Sequence, residues 1–212
     1  MKQLDKLVSK FKTIYKNNKK WIFFFVGIFL IGIISGSLFT CYLSKNDQVM
    51  VKNYITNFIS TVQNNQLDYF TCLKNTLLTN LIFIITIWIL GMSIIGIPIN
   101  LISYFGKSFI LGFSLSSLIL TYQSKGIVYL ICYIFPHHLI NFIIYLILMI
   151  FSLKFSVALL DSIFHKREIN FKNIIGKYIK VLCISVITII ATAVLETYFT
   201  PFLFQKISIF IK

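Results

Sequence analysis

Acids are scarce in this chain. Six Asp and Glu stand against twenty Lys and Arg in 212 residues, so chemistry that needs paired carboxylates has little to draw on. Proline (three), tryptophan (two) and histidine (three) are few, and the four cysteines, Cys41, Cys72, Cys132 and Cys183, show no CxxC spacing. There is no Gly-rich phosphate loop, G-x-S-x-G elbow or H-E-x-x-H motif, which removes the common signatures of nucleotide, serine-hydrolase and zinc-protease sites. Neither a metal nor an organic cofactor is expected. Charged residues amount to only 12% of the chain, too little to coat a soluble domain.

Apolar residues fill the space instead. They make up 58% of the chain, Phe (22) and Tyr (11) supply most of the aromatic content, and the mean hydropathy is +0.86. A soluble core cannot hide that much apolar surface, so lipid is the expected solvent. In lipid every backbone polar group must be satisfied internally, and the apolar runs here have the length of membrane helices. The fold class is therefore all-α: a polytopic integral membrane bundle of about five transmembrane helices, with an amphipathic helix outside the cytoplasm.

The formal net charge of +14 would suggest nucleic acid in a soluble protein. Here the lysines flank apolar runs, and no basic face with interleaved aromatics remains once the spans are removed. The charge reads as a topology signal and as attraction to anionic lipid headgroups; no nucleic-acid partner is expected. The abundance of Ile, Lys, Asn and Phe looks like the drift of an A+T-rich genome.

Residues 1–20 carry seven lysines and one acid, Asp5, and form a basic cytoplasmic segment. The first span covers about 21–43. It is longer than the apolar region of a signal peptide and no A-x-A site follows, so an uncleaved helix is expected. Gly32 and Gly36 form a GxxxG pair within it and predict a face where another backbone approaches closely. Segment 44–76 is polar enough to leave the membrane, yet Val51, Tyr54, Ile55, Phe58, Ile59 and Val62 recur at helical spacing. From Leu77 to Tyr122 the chain is apolar over a stretch that would reach about 70 Å as one helix, more than twice a bilayer core. It must fold back, and Gly91, Gly96, Pro98 and Gly106 place the reversal between spans of about 77–97 and 105–122, with Lys107 on the watery side. The fourth span covers about 127–153, interrupted by Pro136-His137-His138. A basic cytoplasmic loop, 154–178, leads to the fifth span at about 179–204, and an interfacial tail, 205–212, ends the sequence.

On that map fourteen Lys and Arg fall on one side of the membrane and six on the other. The excess places the N-terminus in the cytoplasm and the C-terminus outside.

Few residues invite chemistry. Glu196 is the one ionisable group read well inside an apolar span, where a carboxylate is costly unless it is paired, neutralised or wet. Two roles fit it: a proton or cation site, or a hydrogen-bond partner for buried polar groups such as Asn80, Asn100 or Asn141. The pair His137-His138 is read as structural, because adjacent helical residues point about 100° apart and rarely share one ion. Asp161, His165 and Glu168 lie at helical spacing in the basic loop and are read as a salt-bridged surface. The cysteines are read as packing residues, although Cys41 and Cys72 both map near outer helix ends where a bridge is conceivable.

Several stretches taken together resemble the stage II sporulation protein M family of multi-span bacterial membrane proteins. They are the basic N-terminus with its glycine-bearing first span, Gly91-Met-Ser-Ile-Ile-Gly-Ile-Pro98, Gly106-Lys-Ser-Phe-Ile-Leu-Gly-Phe113, Phe135-Pro-His137 and Glu196-Thr-Tyr-Phe-Thr-Pro201. In the broader family a carboxylate commonly follows the Pro-His segment, where this chain has Asn141, a residue that cannot titrate. The resemblance implies a role in forespore engulfment in the septal or engulfing membrane. It also implies a non-enzymatic scaffold for two septal peptidoglycan-processing proteins, stage II sporulation proteins D and P. In that picture Gly32, Gly36 and the glycine-rich hairpin around Gly91 and Gly96 pack against partner helices, and the outer amphipathic helix orients the partners' extracytoplasmic domains. A transporter or channel subunit using Glu196 is the rival expectation.

Overall fold

The computed structural model describes residues 2–131, 135–165 and 171–210, with side chains for 18–131, 137–164 and 172–206. The expectations for Cys132, His165, Glu168 and residues 211–212 fall outside what is described in backbone or side chain. Eight α-helices are present among the described residues, with no strand: α1 (Lys2–Tyr42), α2 (Lys45–Gln63), α3 (Tyr69–Gly91), α4 (Gly96–Tyr122), α5 (Ser124–Tyr129), α6 (Phe135–His165), α7 (Phe171–Val194) and α8 (Thr200–Phe210). A π-helical turn, Leu195–Phe199, joins α7 to α8. Five segments are long and apolar enough to span a membrane: Asn18–Tyr42, Tyr69–Gly91, Gly96–Tyr122, His137–Phe164 and Lys172–Lys206.

The α1–α4 pair is the closest in the bundle. A Cβ added at Gly32 would overlap Ser108, and one at Gly36 would overlap the Phe109 carbonyl oxygen. From the other side, a Cβ at Gly112 would overlap the Ile33 carbonyl. Small residues let the backbones meet, which is how helices gain packing energy where lipid supplies no hydrophobic drive between them. The Ser37 hydroxyl then donates to the Gly112 carbonyl (3.1 Å) and the Thr40 hydroxyl to Ser116 Oγ (2.7 Å). Gly32 and Gly36 thus face a helix of their own chain. The expectation that they receive a partner's helix is corrected, because the surface they create is already filled.

The reversal between the second and third spans is shorter and earlier than expected. It occupies residues 92–95, so α4 begins at Gly96 and runs through 97–107 without a break. Pro98 sits in the first turn of α4, where its missing N–H is one that the helix would leave unpaired anyway. Gly106 has open space around its Cα and turns nothing. Gly96 does carry the turn, since a Cβ there would overlap the Leu90 carbonyl. Gly91 lies where α6 and α7 press in, with Ser152 and Tyr178 against it. The Ser156 hydroxyl meets the Gly91 carbonyl at 2.7 Å, and the Tyr178 hydroxyl donates to the Trp88 carbonyl at 2.9 Å. Asn100, 2% exposed, donates to the Ile87 carbonyl and to Ser152 Oγ, each at 3.0 Å. It ties α3, α4 and α6 together near this turn.

Other boundaries shift as well. The second span starts at Tyr69, capped by Asp68, whose carboxylate accepts from the Thr71 N–H and hydroxyl. Those hydrogen bonds hold the exposed Asp68 carboxyl below its ordinary value. The fourth span continues past its expected end at 153, since α6 runs to His165, with Pro136 in its first turn and the short α5 before it. The basic loop expected at 154–178 is largely helix, taken up by the ends of α6 and α7. The tail expected from 205 belongs to α8 as far as Phe210.

Helix α2 is the amphipathic helix that the spacing of its apolar residues indicates. It starts at an N-cap, Ser44, whose Oγ accepts from the Asp47 N–H at 3.2 Å. Ile59 and Val62 are buried in a small cluster with Leu118, Tyr129 and Phe204, and Gln205 Nε2 donates to the Val62 carbonyl at 2.7 Å. Its N-terminal half stands away from the bundle, leaving Met50 70% and Tyr54 76% exposed.

The α1–α4 contact yields a direct test. Gly36→Leu should destabilise the purified protein in detergent by at least about 1–3 kcal/mol, the cost of overpacking a filled interface. Gly27→Leu, at a site with open space around it, should leave the thermal midpoint nearly unchanged.

Candidate functional site

With α1 covering one side of α4, the next face of α4 looks into the bundle. Asn100, Lys107 and Ser114 recur along it every seven residues. Lys107 is therefore in the middle of a span rather than at a watery turn, and the expectation for it is corrected. Removing it from the cytoplasmic tally still leaves thirteen Lys and Arg against six, so the charge asymmetry survives.

Lys107 enters a polar centre built from four spans. Its ammonium donates to Asn80 Oδ1 on α3 at 3.1 Å, and the Tyr145 hydroxyl on α6 donates to the same oxygen at 2.8 Å. The Phe83 ring lies 5.4 Å from the ammonium, a cation–π distance. Asn141, 3% exposed, meets the Thr192 hydroxyl of α7 at 2.7 Å. The Lys107 and Glu196 side chains form no direct ion pair among the described residues.

Glu196 occupies the π-helical turn. Pro201 has no N–H to offer the Thr197 carbonyl, and a wider turn just ahead of a proline absorbs that loss; the Thr200 hydroxyl donates to the Leu195 carbonyl at 3.0 Å. Glu196 Oε1 lies 3.4 Å from the Thr76 hydroxyl and Oε2 lies 3.6 Å from His137 Nε2. Its neighbours are thus Thr76 and His137, and the expected partners Asn80, Asn100 and Asn141 are each engaged elsewhere. The His137 and His138 rings are 4.3 Å apart, and no third His, Cys, Asp or Glu completes a metal-ligating group with them among the described residues. Cys41, Cys72 and Cys183 are free thiols, so the conceivable Cys41–Cys72 bridge is not formed.

Two cavities flank this centre. One, about 210 Å³, is lined by Asn80, Lys107, Asn141 and Tyr145. The other, about 600 Å³, lies beneath α2 and is bordered by Met50, Tyr54, Ser117, His137 and Glu196. Ser114 and His138 line both.

The family model for stage II sporulation protein M matches residues 10–201. The chain belongs to the stage II sporulation protein M family. No curated protein and no solved structure matches it. The match takes in the α1–α4 contact, the α3–α4 turn and every residue of the polar centre. Membership makes this stage II sporulation protein M relative a sporulation-related membrane protein.

Sequence reasoning singled out Glu196, Asn141 and Asn100. The structure gathers the first two around one pair of cavities and places Asn100 at the α3–α4 turn. Lys107 and Tyr145 were missed as members of the centre. The seven-residue recurrence from Asn100 through Lys107 to Ser114 is the signal that would have placed Lys107 on an inward face.

The Lys107–Asn80 contact makes a checkable demand. Asn80→Leu strands an ammonium inside the bundle and should cost about 1–3 kcal/mol or more. Adding Lys107→Met to that variant should recover much of the loss, read as a coupling term in a double-mutant cycle of thermal unfolding.

Proposed function

We propose that this protein is a non-enzymatic membrane scaffold in sporulation, one that localises septal peptidoglycan-processing proteins while the mother-cell membrane engulfs the forespore. Stage II sporulation proteins D and P are the proposed partners. The observation that carries this reading is the standing-off half of α2. Its Met50 and Tyr54 present apolar surface outside the spans, where an extracytoplasmic domain could seat on them, and aromatic anchors of this kind dominate binding surfaces. The glycines Gly32 and Gly36 are occupied within the chain, so the proposed docking shifts from the first span to α2. The proposed orientation keeps the N-terminus in the cytoplasm and the C-terminus outside, following the lysine and arginine excess.

A second reading is supported by the polar centre: a transporter or channel subunit, in which Glu196, Lys107 and the two histidines handle an ion or proton. Intramembrane ionisable groups are expensive and default to a functional hypothesis.

The two readings part on defined variants. Under the scaffold reading, Met50→Asp with Tyr54→Asp should lower co-purification of both partners by about tenfold, the scale of a lost binding anchor. Glu196→Gln should leave co-purification intact. Under the transport reading Glu196→Gln abolishes function while α2 variants do not. A deletion strain followed by membrane-dye microscopy should stall at septal thinning or engulfment; normal engulfment would sink the scaffold assignment. Orientation is read separately, with an alkaline phosphatase fusion expected to be active after Lys206 and inactive after Lys20.

A further inference from the structure

The smaller cavity of the polar centre has a mainly apolar lining, and among the residues that line it Lys107 is the one charged group beside Asn80, Asn141 and Tyr145. An ammonium can only donate, so its contact fixes Asn80 Oδ1 toward Lys107 and turns the amide nitrogen away. Lys107 and Tyr145 together occupy that oxygen, and Thr192 meets Asn141 through its oxygen. Asn80 and Asn141 are 7% and 3% exposed, yet their amide nitrogens make no hydrogen bond among the described residues. Both residues line the 210 Å³ cavity with Lys107. Lys107 itself keeps donor capacity beyond Asn80 and makes no ion pair with any described carboxylate. Glu196, the one acid of the centre, borders the neighbouring cleft and not this cavity.

A positive charge and two idle amide donors beside a partly open cavity call for an anion that accepts through more than one atom. We propose that this cavity binds a carboxylate, held by Lys107 Nζ and the amide nitrogens of Asn80 and Asn141. Two routes lead there. Ser114 and His138 line both this cavity and the cleft beneath α2, an entry for a small carboxylate from water. Phe29, Ile110 and Phe142 form an apolar rim, and Ile110 is 62% exposed on the lipid-facing surface, an entry for a fatty-acid carboxylate whose tail stays in the bilayer. The site stands apart from the docking surface on α2 and does not depend on it.

The test uses the full chain purified in dodecyl maltoside, with thermal unfolding followed at constant ionic strength during titration with acetate, oleate or oleyl alcohol. A saturable rise in melting temperature with a carboxylate is expected, with no matching rise from oleyl alcohol, which has the tail without the charge. Acetate acting as well as oleate identifies the aqueous source, and oleate acting alone identifies the lipid source. Lys107→Met should weaken carboxylate binding about tenfold or more, the effect of losing a charge-assisted hydrogen bond; Asn141→Leu serves as the second variant, with a smaller loss. The proposal is overturned if neither carboxylate produces a saturable shift in the wild-type chain, if oleyl alcohol matches oleate, or if a folded Lys107→Met variant binds as tightly as wild type.

Discussion

Helices α1 and α4 approach until backbone touches backbone, and the rotation of α4 that this contact imposes decides which of its residues meet lipid and which meet the bundle. Gly32, Gly36 and Gly112 leave no room for a side chain between the two helices, so α4 cannot turn about its axis without a clash. With Ser108 and Gly112 held against α1, Lys107 and Ser114 are directed at α3 and α6. The interface is sealed toward the C-terminal end of α1 by hydroxyls, Ser37 to Gly112 and Thr40 to Ser116. In a membrane such contacts replace the hydrophobic drive that would order a soluble core.

The polar centre follows from that constraint and from the bilayer's intolerance of unpaired groups. An ammonium and a carboxylate inside the spans must be met by protein or by water. The chain supplies Asn80 to the first and Thr76 with His137 to the second. The π-helical turn that carries Glu196 is a consequence of Pro201 downstream, so one proline both disturbs the helix and helps place its acid. The cavities on either side of His138 lie where the two charged groups are held apart.

Helix α2 occupies the opposite regime. Its C-terminal half is anchored by Ile59, Val62 and the Gln205 hydrogen bond, while its N-terminal half roofs a cleft of about 600 Å³ and exposes Met50 and Tyr54. With one half anchored and the other exposed, α2 is the surface on which the proposed docking rests. This fits the scaffold reading, and the polar centre beneath it offers a separate ligand site in the same molecule.

Composition and hydropathy alone determined that the chain is a helical membrane bundle with five spans, because long apolar runs leave the backbone no other way to satisfy its hydrogen bonds in lipid. The spacing from Val51 to Val62 likewise announced α2, and Glu196 drew notice as a carboxylate in an apolar run. Helix ends were less legible: Pro98, Pro136 and Gly106 read as breaks, yet each lies within a helix, since a proline in the first turn costs no hydrogen bond and a glycine turns the chain only where something crowds it. Which glycines face which helix, that Lys107 lies inside instead of at the surface, and that Asn80 serves Lys107 and not Glu196 were decided by tertiary structure alone. Those facts depend on how α4 is rotated against α1, and rotation is set by contacts between residues some 75 positions apart, which no local pattern of the sequence encodes.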